Sequence, residues 1–172
     1  AEILRLKHID TDLSEMYFAR MVYSEKAENY ILRQGKANFG EGGLSHDVLR
    51  NIDKNGLLPQ TAYSGLVKGE NYHNHQSMVT NVQAVIDSMI ETHHPGNNWP
   101  TTVDALLDAK LGAAPANFVF GDKDFTPQSF AKSMGIEANN YMGITSLNHR
   151  PFNQLTVLDV PDNFSNGQVL NI

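Results

Sequence analysis

Seven histidines are the side chains in this sequence best suited to binding a metal ion or moving a proton. His73 and His75 are separated by one residue, and His93 and His94 are adjacent. Two imidazoles on one helix bind one metal when they lie four residues apart with a carboxylate beside them, and neither pair has this spacing. We therefore expect structural or solvated histidines, with no metal ion and no other cofactor.

Ser45, His46 and Asp47 supply the three side-chain types of a serine-hydrolase triad. A triad requires the base to lie over the nucleophile while a third group orients its far nitrogen, which adjacent residues cannot do. Serine is a favoured helix cap, and an aspartate in the first turn interacts favourably with the helix dipole. The sequence therefore predicts a helix start here, with Ser45 as the cap.

The sequence contains no cysteine. Disulfide bonds, zinc–thiolate sites and a cysteine nucleophile are therefore excluded for this chain. Two acidic pairs have helical spacing and are interpreted as solvated helix faces, because nothing in the sequence indicates that their pKa values are shifted. These pairs are Glu25 with Glu28 and Asp104 with Asp108.

The overall charge is acidic, with 13 Lys and Arg against 19 Asp and Glu and a formal net charge of −6. A nucleic-acid-binding protein needs a basic surface, so we expect no nucleic-acid partner. No apolar run approaches the ~18 residues of a membrane helix, so we expect no membrane partner. The hydrophobic content of 41% is enough for a buried core.

Gly42 and Gly43 end a glycine-rich loop, residues 36–43, just before the helix predicted at Ser45. Glycine tolerates positive φ and lets another backbone approach closely. One interpretation of the pair is a plain turn. The other is an exposed edge that pairs main chain to main chain with an extended peptide.

Amphipathic helices are predicted throughout the first part of the chain, residues 1–115. The apolar spacing predicts a helix over residues 2–7. A helix of roughly twenty residues should follow, capped by Asp12 with Glu15 in a capping box and ending before Gly35. Three further helices are predicted from Ser45 to Gly56, over residues 77–91, and from Thr101 or Thr102 to Gly112.

β-structure is predicted for much of the second part of the chain, residues 116–172. Aromatic residues on both sides of Gly121 indicate a hairpin. Thr126 and Pro127 have the cap-then-proline order of a helix start, and Gly135 should end that helix. Three strands are predicted over residues 141–147, 155–160 and 168–172.

Several segments together resemble papain-like cysteine peptidases of the bleomycin hydrolase and bacterial aminopeptidase C branch. Leu13-Ser14-Glu15 at a helix start, the run from Phe39 to Gly43, and the run from Asn55 to Tyr63 follow one another as they do in that family. Residues 125–135, 144–152 and 160–164 are similar to stretches of bacterial members. The likeness spans nearly the whole chain, and the order of the segments is more specific than any one of them.

The resemblance implies an α+β, papain-like fold, with mostly the helical half and the start of the β-rich half. Residues 1–172 would form a single partial domain, the central fragment of a longer peptidase. The family's nucleophilic cysteine and oxyanion glutamine would precede this chain, and its general-base histidine and asparagine would follow it. No catalytic residue is therefore expected here, and His149 does not lie in the family's histidine motif.

The resemblance also implies where a peptide substrate would bind. The positions that match the family's substrate-binding segment are Glu41, Gly42, Gly43 and Leu44, although papain itself has asparagine at the position of Glu41. Members of this branch often form rings of subunits, so a homo-oligomeric parent enzyme agrees with the resemblance. The compartment stays open, because a cysteine-free chain suits oxidising and reducing surroundings equally.

Three functional hypotheses follow. The first is a fragment of a cysteine peptidase that hydrolyses peptide bonds from the amino terminus. The second is a non-catalytic relative that keeps the cleft as a peptide-binding surface. The third and weakest is a metal-dependent hydrolase that uses the histidines. A start in mid-helix and an end in mid-strand favour the first hypothesis over the second.

Overall fold

The longest helix, α2 (Glu15–Leu32), follows the short helix α1 (Glu2–Lys7) in this computed structural model, which describes residues 2–92, 96–159, 165 and 167–172. Ser14 caps α2, because its hydroxyl accepts a hydrogen bond from the Tyr17 N–H at 3.0 Å. The predicted cap, Asp12, is wrong. Its carbonyl accepts from the Gln60 N–H at 2.9 Å, which keeps the backbone before Ser14 extended.

Three more helices complete the first part of the chain: α3 (Ser45–Asn55), α4 (His75–Glu91) and α5 (Trp99–Leu111). Gly56 and Gly112 end α3 and α5, as predicted, and both have positive φ. Ser45 is the first helical residue of α3 and not its cap, because Asp47 supplies the capping carboxylate, which accepts from the Leu44 N–H.

Two of these helices begin earlier than predicted. The α4 helix starts at His75 instead of residue 77, because the Asn74 side chain accepts from the Ser77 N–H and so caps the helix. The α5 helix starts at Trp99 and not at either threonine. Pro100 then lies in the first turn, where a missing N–H and a fixed φ favour the helix.

The predicted hairpin and the helix after it are confirmed. Strands β1 (Phe118–Phe120) and β2 (Lys123–Phe125) pair antiparallel around a two-residue turn. Helix α6 (Pro127–Met134) follows at once, with the Thr126 hydroxyl as its cap and Gly135 in the left-handed conformation at its end. A 3₁₀ turn, Ala138–Asn140, leads into the last sheet.

That sheet has the strand order β3-β5-β4. Its strands are β3 (Gly143–Thr145), β4 (Gln154–Leu158) and β5 (Gly167–Asn171), each shorter than or shifted from the predicted range. The central strand β5 runs parallel to β3 and antiparallel to β4. Residue 160, the predicted end of the middle strand, lies outside the described residues.

The hydrophobic core lies among the helices. Its fully buried side chains come from α4, α5, α6 and the extended segment after α3, and they include Leu57, Leu58, Met78, Ile86, Leu107 and Phe130. Strand residues such as Ile144, Leu155 and Val157 are largely exposed. Within the described ranges, no helix combines the length and the apolar character needed to cross a membrane.

Candidate functional site

A surface cavity of about 360 Å³ lies between the first turns of α2 and the loop that leads into α3. All four residues of the predicted substrate-binding segment line this cavity. They are Glu41, Gly42, Gly43 and Leu44. The other wall residues are Glu15, Phe18, Ala19, Val22 and Tyr23 from α2, Ser45, Asp47 and Val48 from α3, and His75 from the start of α4.

The two loop glycines differ in what they require of the backbone. Gly42 has φ +87°, a conformation that side chains disfavour, and a Cβ atom added there would have no atom within 4 Å. Gly43 has no such φ, and its added Cβ would meet only ordinary contacts, 3.6 Å from Asp47 Oδ2 and 4.0 Å from Val22 Cγ1. Gly42 therefore needs to be glycine for its conformation, whereas Gly43 leaves space on the exposed surface.

The loop is hydrogen-bonded on its buried side by Lys26 of α2, a residue that is only 5% exposed. Its ammonium donates hydrogen bonds to the Gly40 carbonyl at 2.7 Å and to the Gly42 carbonyl at 2.5 Å. The same ammonium lies 5.7 Å from the centroid of the Tyr23 ring. Burial lowers the pKa of Lys26, and the nearby Asp47 carboxylate offsets part of that shift.

Asp47 fixes the other end of the loop. Its buried carboxylate accepts from the Leu44 N–H at 2.9 Å, from Arg50 at 3.2 Å and from the Ser165 hydroxyl. Burial by itself would raise the pKa of Asp47, but these hydrogen bonds and the nearby His46 more than offset it and lower the pKa. The carboxylate is therefore ionised and fully engaged in holding the start of α3.

Ser165, His46 and Asp47 also fail to form a catalytic triad. The His46 Nε2 atom lies 3.1 Å from Ser165 Oγ, but Asp47 lies 3.5 Å from the same nitrogen and not beside Nδ1. The Ser165 hydroxyl donates its proton to Asp47 instead of to the histidine. A triad needs the carboxylate beside the imidazole nitrogen that faces away from the nucleophile. These three side chains therefore stabilise the start of α3 and are not arranged for acyl transfer.

Tyr23 and His75 form the aromatic wall of the cavity. Their rings are stacked with centroids 5.9 Å apart, and the Tyr23 hydroxyl lies 3.3 Å from His75 Nδ1. Burial raises the pKa of Tyr23 to about 12, with Glu41 adding to the shift. Burial also lowers the pKa of His75. The nearby Glu41 offsets part of this decrease, and His73 adds to it. Both rings are therefore uncharged at neutral pH.

His73 does not join His75 as a ligand pair. Its Nε2 lies 3.0 Å from the Ser64 carbonyl, and the two imidazole centroids are 6.0 Å apart. Within the described part of the chain, no three His, Asp or Glu side chains are grouped as metal ligands are. His93 and His94 lie outside the described residues.

Of the two acidic pairs, Glu28 is exposed as predicted, while the other three carboxylates contact neighbouring helices. Asp108 accepts from the buried Arg20 at 2.6 Å, and Asp104 accepts from Ser24 at 3.1 Å. Glu25 pairs with Arg50 at 2.8 Å and with Lys54 at 3.2 Å. These carboxylates join helices to one another, because the basic partners lie on facing helices that the local spacing cannot identify.

The sequence reasoning also missed Lys26 and Tyr23 as parts of the site. Lys26 stands three residues after Tyr23 and four before Tyr30, and both tyrosines are buried. Residues three and four apart lie on the same helix face. The sequence therefore did contain a signal for Lys26, namely a lysine on the apolar face of α2. A buried ammonium needs hydrogen-bond acceptors nearby, which points to a structured contact there.

The chain is similar to a solved structure in its fold. No protein-family model and no curated protein sequence matches the chain. The crystal structure of PepW from Lactobacillus rhamnosis HN001 (DR20), determined as the selenomethionine derivative, matches it with a TM-score of 0.63 at 15% sequence identity. The match covers 99% of this chain and 48% of the PepW chain, so this chain spans about half the length of PepW.

At this identity the likeness to PepW shows the fold alone. The predicted α+β class is confirmed, and the fold is papain-like, with mostly the helical half and the start of the β-rich half. The glycine loop and the cavity therefore belong to a chain whose fold is similar to that of PepW, while the roles of their residues rest on the geometry described above.

Proposed function

We propose that this chain forms the peptide-binding part of a papain-like cysteine peptidase of the aminopeptidase and bleomycin hydrolase type. The observation that supports this function is the position of Gly42 and Gly43, exposed on the rim of the cavity between α2 and α3. An extended peptide would add to this edge as a strand and hydrogen-bond its main chain to the loop. The fold match to PepW agrees with this proposal.

The cavity walls suit part of such a peptide. Phe18, Val22 and Tyr23 provide apolar surface, and Glu15 and Glu41 provide carboxylates among the wall residues. A peptide side chain could bury apolar area against the helix, while the main-chain pairing would fix its direction. Glu41, Gly42, Gly43 and Leu44 are accordingly proposed as substrate-binding residues.

The chemical step would come from residues outside this chain. In the proposed reaction a cysteine thiolate attacks the scissile carbonyl, the amine leaves with a proton from a histidine, and water then hydrolyses the acyl-enzyme. Because the 172 residues include no cysteine, the chain alone should show no turnover and no labelling by thiol-directed inhibitors.

A second candidate function is a non-catalytic relative that binds peptides in the same cleft. The observation that favours it is the absence of cysteine from a chain that nevertheless carries the exposed glycine edge. The two candidates share the binding surface and differ only in whether a thiol nucleophile stands beside it.

One experiment separates these candidates. The protein that carries this sequence would be isolated from its source cells, its intact mass measured, and its turnover of an aminoacyl fluorogenic substrate tested before and after thiol alkylation. Turnover that is lost on alkylation supports the peptidase. Binding of peptide without turnover supports the non-catalytic relative. Turnover that survives alkylation and is abolished by a chelator contradicts both and favours the metal-dependent hydrolase.

A further inference from the structure

Lys26 lies in an environment that a lysine rarely occupies without a specific purpose. It is 5% exposed, on the face of α2 that packs against the loop, with Tyr23 and Tyr30 on either side of it along the helix. A methionine would fill the same volume without bringing a charge out of water. Burying the ammonium is costly unless hydrogen bonds compensate for the lost water, so the role of Lys26 should be found in its hydrogen bonds.

Those hydrogen bonds join the helix to two peptide groups of the loop. The ammonium donates to Gly40 O at 2.7 Å and to Gly42 O at 2.5 Å, one on each side of Glu41. Among the described residues, Gly40 to Gly43 make no backbone-to-backbone hydrogen bond. The conformation of this stretch therefore depends on side-chain contacts, and Lys26 supplies two of them.

Fixing these two carbonyls also fixes the direction of two N–H groups. In a planar trans peptide the C=O and the next residue's N–H point in opposite directions. With the Gly40 and Gly42 carbonyls turned towards the buried ammonium, the N–H groups of Glu41 and Gly43 point away from it. Residues 41 and 43 have the two-residue spacing with which one strand offers hydrogen-bonding groups to the same neighbour.

We propose that Lys26 is a positioning residue that orients the Glu41 and Gly43 peptide groups for pairing with an extended peptide. The proposal rests on the proposed function of the loop as a peptide-binding edge and adds the residue that sets its geometry. Lys26 does not line the cavity and acts through the loop backbone. The Tyr23 ring below the ammonium and the Asp47 carboxylate on α3 help to keep it charged at this position.

The test uses the whole chain and the variant Lys26→Met, which keeps the stem and removes the ammonium. Two quantities are measured: amide hydrogen exchange of residues 40–44 against α4, and the Kd of a fluorescent extended peptide by anisotropy. We expect exchange in the loop to accelerate while α4 is unchanged, and Kd to rise about ten-fold or more. A folded Lys26→Met variant with the exchange and Kd of the wild type would overturn the proposal.

Tyr63→Phe is the matched control, because it removes the hydrogen bond from a buried tyrosine to Gly112 O and leaves the loop alone. It should lower stability while the loop exchange and Kd stay within about two-fold of the wild type. An equal rise of Kd in this control would show that general destabilisation is responsible, which contradicts a specific role for Lys26. If Lys26→Met does not fold, Lys26→Gln replaces it, and we expect a smaller rise of Kd. Unchanged amide exchange in residues 40–44 of the Lys26→Gln variant would contradict the proposal.

The two proposals fail in different ways. If the wild-type chain binds no extended peptide, the proposed function of the loop fails, and the role of Lys26 in peptide pairing fails with it. If the wild type binds and Lys26→Met binds equally well with unchanged loop exchange, only the role of Lys26 is wrong. Faster loop exchange together with weaker binding supports both.

Discussion

The helical part of the chain and the three-stranded sheet differ in how much of their apolar surface is covered. Leu58, after α3, is 0% exposed, whereas Leu155 in β4 is 62% exposed. The sheet nevertheless has a full ladder between β4 and β5, with Leu155 opposite Leu170. Strand pairing satisfies the backbone of the sheet without covering its side chains, so the two regions should contribute very differently to stability.

This difference matters for the candidate site because the glycine loop lies on the well-packed region. Phe39, in the middle of the loop, is buried with its ring 5.7 Å from that of Tyr30 and 6.5 Å from that of Tyr23. The sheet reaches α3 at Gly167, where an added Cβ would lie 2.6 Å from His46 Nδ1. The loop is therefore held mainly by the helical part, while the sheet contacts α3, where the loop ends, at Gly167.

The largest expected effect is the removal of a core side chain. Leu58→Ala would leave a cavity among the helices and should lower the free energy of unfolding by about 3 kcal/mol. Chemical denaturation followed by circular dichroism measures it. A loss for Leu58→Ala no greater than that for Leu155→Ala would contradict the contrast between the two regions.

A large effect is also expected at the end of α3. Gly56 has φ +83°, and a Cβ atom there would lie 2.2 Å from the Pro127 carbonyl carbon at the start of α6. Gly56→Ala should therefore cost about 2 kcal/mol or more through backbone strain and the displaced helix. Gly112→Ala is the matched control, since it has a similar φ with no atom within 4 Å of the added Cβ. Equal melting temperatures for the two variants would show that the α3–α6 contact is not tight.

A smaller effect should depend on pH through Asp47. Its pKa is lower in the folded chain than in the unfolded one, so the unfolded chain binds more protons in acid. This stabilisation is present above the ordinary aspartate pKa of about 3.9 and is lost as the pH falls through the folded value. Asp47→Asn should consequently lose less stability than the wild type between about pH 6 and pH 3. A parallel loss in both proteins would exclude Asp47 as a source of the pH dependence.

The smallest effect is expected on the exposed sheet face. Leu155→Thr places a β-branched residue, which suits a strand, in β4 and removes an apolar side chain that little of the described structure covers. The free energy of unfolding should change by about 0.5 kcal/mol or less. Denaturation curves for the variant and the wild type test this, and a loss as large as the one expected for Leu58→Ala would show that this face is buried in solution.

Much of the fold could be predicted from the sequence because the local signals agree with one another. The α2 pattern, the Thr126–Pro127 helix start and the turn at Gly121 each depend on residues close in the chain. The cap of α2 was mispredicted because the choice between Asp12 and Ser14 depends on a hydrogen bond from Gln60, far along the chain.

The site was predictable only in part, for a similar reason. The resemblance predicted residues 41–44 as substrate-binding, and all four line the cavity, while their binding role stays a prediction. The contacts that hold them come from Lys26 and Asp47, whose partners are loop carbonyls and N–H groups that no side-chain pattern reveals. Arg20 and Asp108 form an ion pair between two helices although they are 88 residues apart in the sequence, so local residue spacing cannot predict it.

The most direct test of the peptide-binding edge is the affinity of Gly43→Val for a fluorescent extended peptide. The added Cβ would meet only ordinary contacts inside the protein, so the variant should fold with a melting temperature close to that of the wild type. Its branched side chain would project where the peptide backbone must lie, and Kd should rise at least ten-fold, about 1.4 kcal/mol. Ala116→Val, an exposed position outside the cavity wall, should leave Kd unchanged. A folded Gly43→Val variant that binds the peptide as tightly as the wild type would show that the double glycine is a plain turn.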